Sequence, residues 1–374
     1  MAIIPQKRLF TWKDIDAASD LDRLRLVLSV LPDEALMRRL EKRRGKGRDD
    51  YPVRATWNAV IAGIVFQHPS TASLPDDKKM QQEDRRRDPD ADKGVKTYRG
   101  TREDGTTWQK VKTWFGYKLH LLVDSVFEMP LAFKVTEASG GDSPELMPLV
   151  ETLETNHPAL SQRARELSAD RAYDSRENKR RLFDEYGIKP LIDMRTCWKT
   201  PGETRPLVPD RADFFVYDER GNLFCVCPAM GKKRPLVFQG FERDRNTLKY
   251  RCPAAARGFS CQGRSRCESM ASVGPFGRIV RVPLEMDRRI FTPIPRPTPR
   301  WEKAYARRTA VERVNGRLDT VLGFEKHTIR GKRKMETRLT LAFVLMLAMA
   351  LGRIREQQQD RLRSFLAPVR SKAG

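Results

Sequence analysis

Histidine is nearly absent from this 374-residue sequence, with only His68, His120, His157 and His327. None has a Ser or Cys partner at a suggestive spacing, so acyl transfer by a His-activated nucleophile finds no support. His120 alternates along a strand-like run, which predicts a structural role. No G-x-x-x-x-G-K stretch occurs, which argues against an NTP-driven recombinase. Long apolar runs are missing too. The longest, Leu339–Leu351, has thirteen residues. A membrane span needs roughly 20, so this run predicts a buried core helix and no membrane partner. The N-terminus MAIIPQKRLFTWKD offers only a brief apolar stretch, unlike a secretory leader. Six cysteines without such a leader suit the reducing cytoplasm, where thiols stay free or bind metal.

Negative charge is also in short supply. Lys and Arg number 72 against 49 Asp and Glu, a net +23. The excess runs along the whole length, which predicts a long basic surface. A polyanion is its natural partner, and nucleic acid fits better than a membrane patch.

Apolar spacing organises the chain. Leu21, Leu24, Leu26, Val27 and Leu31 recur at helical spacing, and Asp33 can cap the next helix. Pro52 opens a further helical run in which Val53, Trp57, Val60, Ile61 and Ile64 line one side. Residues 1–70 therefore read as an N-terminal helical module suited to DNA binding. Residues 71–112 contain almost nothing that could enter a core and read as a polar linker or loop. Phe115–Val123 and Leu131–Thr136 are predicted antiparallel neighbours. A helix over Pro144–Leu153, a strand leading to Asp170, a helix over Ser175–Tyr186 and a strand over Leu191–Met194 follow. Such alternation predicts a mixed α/β sheet with helices. Residues 113–196 and 297–352 would form this domain, 197–296 an inserted β-rich Cys-containing segment, and 353–374 a basic tail.

Two stretches carry the chemistry. In LSADRAYDS an apolar approach ends in Asp170, followed at once by Arg171. This acid could cap a helix or hold a metal ion. In YARRTAVERVNGRLD, Tyr305, Arg308, Glu312, Asn315 and Asp319 follow one another at spacings of 3, 4, 3 and 4. That places them on one predicted helix face, with Ala310, Val314, Leu318 and Val321 on the apolar side.

Tyr305, Arg308 and Glu312 fit the Y-x2-R-x3-E part of a signature, and together with LSADRAYDS they resemble bacterial insertion-sequence transposases of the DDE type. The stretches WFGYKLHLLVD, PLAFKVTEASGGDS, GIKPLIDMR, FERDRNTLKYRCPAAA and DRRIFTPI also look like that family, from about Asp88 to Arg353. A Lys seven residues past the Glu in the signature is replaced here by Asp319. The resemblance implies an RNase H-like catalytic domain that binds and cuts DNA by phosphoryl transfer assisted by Mg²⁺ or Mn²⁺. Hard cations of this kind take carboxylate oxygens. It implies Asp170 and Glu312 as metal ligands, with Tyr305, Arg308, Arg171 and Lys118 as DNA-contacting side chains. The implied partners are double-stranded DNA, as terminal inverted repeats and target, and a second copy in a homodimer.

The family's first acid has no evident counterpart. Asp76, Asp77, Asp88, Asp90 and Asp92 lie in polar surroundings, and Asp124 follows the second strand, which makes it a weak substitute. An internal deletion near Leu74–Pro75 is the expected cause. A catalytically impaired DNA-binding remnant is therefore the alternative to an active transposase, and a metal-dependent nuclease unrelated to mobile elements is a third reading. Cys225 and Cys227 form C-x-C, and Cys252, Cys261 and Cys267 give C-x8-C-x5-C. Four of these thiols could hold a structural Zn²⁺, or all could remain free.

Overall fold

The computed structural model describes residues 18–45, 52–66 and 88–363, apart from gaps at 197, 201, 209–214, 228–230, 266, 268–273 and 325–328. The chain divides into two units, residues 1–140 with 310–374 and residues 141–309.

The first unit begins with α1 (Ala18–Val30), α2 (Glu34–Arg44) and α3 (Val53–Val65). Leu24 and Val27 of α1 and Ile61 and Ile64 of α3 are buried, whereas Val60 is exposed. Asp33 stands at the start of α2 without making a side-chain cap. Its carboxylate instead accepts hydrogen bonds from Arg54 (2.6 Å) and the Trp57 indole (2.7 Å), which fastens α2 to α3.

The described end of the expected linker, residues 88–112, is largely a β-ribbon. β1 (Asp92–Thr101) pairs with the outer half of β2 (Thr107–Val123), in register from Asp92 opposite Gly116 to Thr101 opposite Thr107. Backbone pairing needs no apolar side chains, which is why a stretch too polar for a core still forms strand. From Tyr117 onward β2 pairs with β3 (Pro130–Glu137). The change of partner falls at Gly116, whose φ of +145° favours glycine. Asp88 and Asp92 are buried, contrary to their polar sequence surroundings. Asp92 accepts from the Ser139 backbone N–H and hydroxyl, and Asp88 from the Tyr117 hydroxyl and the Gly331 N–H.

In the second unit a 3-10 turn (Ser143–Glu145) leads into α4 (Leu146–Asn156) and α5 (Pro158–Arg163). β4 (Glu166–Ala169), α6 (Arg176–Asp184) and β5 (Lys189–Ile192) form a β-α-β crossover, and the two strands pair in parallel. The β-rich stretch holds β6 (Thr204–Pro206), β7 (Phe215–Asp218), β8 (Leu223–Val226) and β9 (Lys233–Pro235) in one antiparallel sheet. A second sheet holds β10 (Val237–Glu242), β11 (Thr247–Arg251) and β12 (Ile279–Pro283), with α7 (Pro253–Arg257) between its last two strands in sequence. Leu223 of β8 joins Leu248, Val282, Leu284 and Phe291 in one core. α8 (Pro299–Tyr305) follows and packs Trp301 and Ala304 against Leu191 of β5.

The chain then returns to the first unit through α9 (Thr309–Thr320) and α10 (Lys332–Arg355). Ala310, Val314, Leu318 and Val321 are all buried, as the helical spacing predicts. α10 is long and apolar enough to cross a membrane by length and composition alone. Leu339, Phe343 and Met346 instead join Val27, Ile61 and Val314 in one core. The described N-terminal helices thus share the core of α9 and α10 and are not a free-standing module.

Candidate active site

Asp170 is the first residue beyond β4, and Asp193 the first beyond β5. Because Ala169 and Ile192 lie opposite each other in a parallel pair, the two acids stand side by side at the C-terminal edge of the strands. Ligands of open α/β sheets gather at this edge. Asp170 is exposed, and its carboxylate makes no hydrogen bond or ion pair among the described residues. The helix-cap reading does not hold for it. It precedes a 3-10 turn (Arg171–Tyr173) without capping it, and α6 is capped by Ser175, whose hydroxyl accepts from the Asn178 N–H.

Arg171 pairs with Asp193, donating from Nη2 and also from Nε at 3.2 Å. Burial would raise Asp193, but the Arg171 hydrogen bond, the Met194 N–H and the charges of Arg171 and Arg296 together hold it below the ordinary carboxylate range. Around this edge lie two tyrosines. Tyr173 is pushed above its ordinary value by burial and by Asp142, Asp170 and Glu145. Tyr305 is raised by burial, partly offset by Arg308 and reinforced by Asp193 and Asp170. The Arg308 guanidinium lies over the Tyr305 ring at 5.6 Å, and Trp301 stacks on that ring at 4.4 Å. α8 is fixed to β4 by the Ser168 hydroxyl, which donates to the Ala304 carbonyl.

The fold therefore brings together Asp170, Arg171, Tyr305 and Arg308, four of the residues singled out from sequence. It adds Asp193, Asp142, Glu145 and Tyr173, which that reading gave no role. Asp193 had a signal: LSADRA and PLIDMR are both apolar runs ending in Asp-x-Arg or Asp-Arg. Asp142 and Glu145, in GGDSPE, had none.

The loop bearing Asp170 is anchored from below by Asp174. Its carboxylate accepts from Lys179 (2.7 Å), from Arg289 (2.7 and 2.9 Å) and from the Arg195 N–H (3.0 Å). Arg195 in turn donates to the carbonyls of Arg171 and Ala172.

Glu312 belongs to the first unit, on the exposed side of α9. Tyr305 does not share its helix. Tyr305 ends α8, and a 3-10 turn over Ala306–Arg308 interrupts the 3.6-residue period before α9 begins. Glu312, Asn315 and Asp319 keep their common face on α9. A cavity of about 330 Å³ in this unit is lined by Lys118, Asn315 and Asp319 among aromatic and aliphatic walls. The Lys118 ammonium donates to the Gly140 carbonyl at 2.6 Å. His120 is buried with Nε2 2.9 Å from the Thr136 hydroxyl, in the structural role its spacing predicts.

Among the described residues, the acids considered for the family's first carboxylate are occupied. Asp124 accepts from the backbone N–H groups of Val126 and Phe127 and so caps the β2–β3 loop. Asp90 accepts from the Lys332 N–H, and Asp88 and Asp92 are bound as described above. Asp76 and Asp77 lie outside the described residues.

Cys225, Cys227, Cys252, Cys261 and Cys267 are free thiols, and Cys197 lies outside the described residues. Burial, and then the neighbouring Cys252, Cys267 and Cys261, push the Cys225 thiol up to about 12. The fold thus gathers four of the expected zinc ligands. Among the described residues, however, no group of three or more His, Cys, Asp or Glu is arranged to hold a metal ion.

The second unit thus sets two acids side by side at the C-terminal edge of a parallel strand pair, with a Tyr-Arg pair nearby. The chain belongs to the transposase DDE domain family, which it matches over residues 90–348. No curated protein and no solved structure matches it.

Proposed function

We propose that this chain is the transposase of an insertion sequence, binding the element's inverted-repeat ends and cutting and joining DNA. The observation that carries this reading is Asp170 itself. In a member of this family it is an exposed carboxylate at a strand edge, left without a hydrogen-bonding partner among the described residues while Asp174 and Asp193 are paired. A carboxylate with no structural duty is available for chemistry.

Asp170 and Glu312 are the proposed ligands of the divalent metal that transposases of this family generally use. Such an ion would stabilise charge on the phosphoryl oxygens and activate the attacking oxygen. The donors are of the right type for Mg²⁺ or Mn²⁺, but their number among the described residues is short of three, and no step is assigned through the metal. Arg171, Arg308 and Tyr305 would position the phosphate backbone, and Lys118 would do so from β2. An RNase H-like catalytic domain, action as a homodimer and a cytoplasmic location complete the reading.

The second reading, an impaired DNA-binding remnant, rests on the occupied state of Asp88, Asp90, Asp92 and Asp124. With each tied into the fold, the described residues offer no first acid, as a loss near Leu74–Pro75 would leave it. One experiment separates the two. Purified full-length protein is incubated with Mg²⁺ and a supercoiled plasmid carrying the inverted repeats. An active transposase nicks at the repeats, and Asp170→Asn and Glu312→Gln abolish nicking while retaining DNA binding. Binding of the repeats without any cleavage supports the remnant. Cleavage undiminished by Asp170→Asn overturns the assigned site.

A further inference from the structure

The β1–β2 ribbon has two unlike faces. In an antiparallel pair, residues directly opposite share a face, and the face alternates at each step. One face carries Lys93 with Phe115, Val95 with Thr113, Thr97 with Val111 and Arg99 with Gln109. The other carries Gly94 with Trp114, Lys96 with Lys112, Tyr98 with Lys110 and Gly100 with Trp108. Three ammonium groups are thus interleaved with three aromatic rings along a single face.

The glycines shape this face. A Cβ on Gly100 would fall 2.6 Å from the Trp108 indole, and one on Gly94 would fall 2.4 Å from the Trp114 ring. Each indole therefore lies against the bare backbone of the opposite strand. Trp108 and Tyr98 remain about 40% exposed, at 39% and 40%. No acid occurs in 93–101 or 107–115, and the nearby Asp104 carboxylate is taken up by Thr106 at the turn. Neither Lys110 nor Lys112 meets a carboxylate among the described residues.

As a purely structural device this arrangement is costly. Lys96 lies directly opposite Lys112, and like charges at such a position destabilise a strand pair. Among the described residues no core lies beneath this exposed stretch to offset the repulsion. A polyanion laid along the face would relieve it. A two-stranded ribbon also matches the major groove, which is about 12 Å wide and 8.5 Å deep. Ten paired positions give it a reach of roughly 30 Å.

We infer that the Trp114–Lys96–Lys112–Tyr98–Lys110–Trp108 face of the β1–β2 ribbon is a docking surface for duplex DNA. Lys96, Lys110 and Lys112 hold phosphates, and Trp108 and Tyr98 lie against the sugar and base edges. The inference rests on the DNA-binding function proposed above and adds the surface that grips the duplex.

The test uses the full-length chain and a fluorescent mixed-sequence duplex, with anisotropy measured across a KCl series. Each phosphate contact removed lowers the slope of log K against log salt by about 0.9. The triple variant Lys96→Gln/Lys110→Gln/Lys112→Gln is expected to lose roughly 2–3 from that slope and on the order of 10- to 100-fold in affinity at low salt. Trp108→Ala, made separately, is expected to weaken binding several-fold without changing the slope. A control on the opposite face, Val95→Thr/Val111→Thr, should bind as the parent does. A folded triple variant (judged by circular dichroism) that keeps the parent's affinity and slope overturns the ribbon's role and leaves the DNA-binding function standing. Absence of any DNA binding by the parent chain overturns that function, and the ribbon's role with it.

Discussion

Each unit holds a buried carboxylate caged by two cations, and the two cages are built differently. In the first unit Glu128 sits in the β2–β3 connection with a φ of +58°, buried, and Arg313 (2.6 Å) and Arg317 of α9 both donate to it. In the second, Asp174 is completely enclosed and shared between Lys179, Arg289 and a backbone N–H. Burial alone would raise both acids. For Glu128 the hydrogen bond from Arg313 and the charge of Arg317 outweigh it, and for Asp174 Arg289 and Lys179 do, so both fall below the ordinary carboxylate range. The cages differ in their cations. Arg313 is half exposed, whereas Lys179 is as buried as the acid it pairs with. What a missing acid costs therefore depends on whether its partner can reach water.

Asp174→Asn is expected to have the largest effect. It leaves the Lys179 ammonium enclosed without a counter-charge, a situation that costs about 3–5 kcal/mol. Thermal and urea melts of the full-length chain would show a large drop in midpoint. The pH dependence has a defined sign. The Asp174 pKa is depressed in the folded state, so its stabilisation is present above the unfolded carboxylate pKa of about 3.9. That stabilisation is lost as pH falls through the lower folded value. The parent should therefore lose stability on acidification in this window, and Asp174→Asn should flatten that limb. A variant that melts with the parent would mean the cage does not hold the loop.

Glu128→Gln should be milder, about 1–3 kcal/mol, because Arg313 can turn outward and hydrate when the charge disappears, while the less exposed Arg317 keeps its hydrogen bond to the Glu128 carbonyl. Equal losses for the two variants would show that partner exposure does not decide the cost.

Much of this framework is legible in the residues. The apolar approach to Asp170, the crossover around α6 and the buried side of α9 all follow from spacing, since side chains must face a core at the period of their element. Three features resisted that reading. Residues 92–112 carry no core pattern, because a ribbon is held by backbone pairing and by indoles on glycine rather than by burial. The common face drawn through Tyr305 and Glu312 fails because a 3-10 turn, which no residue between them announces, shifts the period. Asp33 sits at a cap position but serves Arg54 and Trp57, a choice made by α3 some twenty residues downstream. For the site, Asp170, Arg171, Tyr305 and Arg308 were identified through family resemblance. Asp142 and Glu145 approach Tyr173 only because tertiary structure returns their turn to the end of β4.

The smallest stability effect is expected at the acid of greatest functional interest. Asp170 lies four residues from Asp174, on the same loop, yet its carboxylate neither caps the 3-10 turn nor enters an ion pair among the described residues. Removing its charge deletes no folded-state hydrogen bond and strands no buried cation. Surface substitutions of that kind usually stay within about 0.5 kcal/mol. Asp170→Asn should thus melt with the parent while Asp174→Asn melts far earlier. If cleavage is lost in both, only the first loss can be assigned to chemistry. A large destabilisation by Asp170→Asn would instead make the residue a structural acid like its neighbour, and the proposed site would lose the free carboxylate on which it is built.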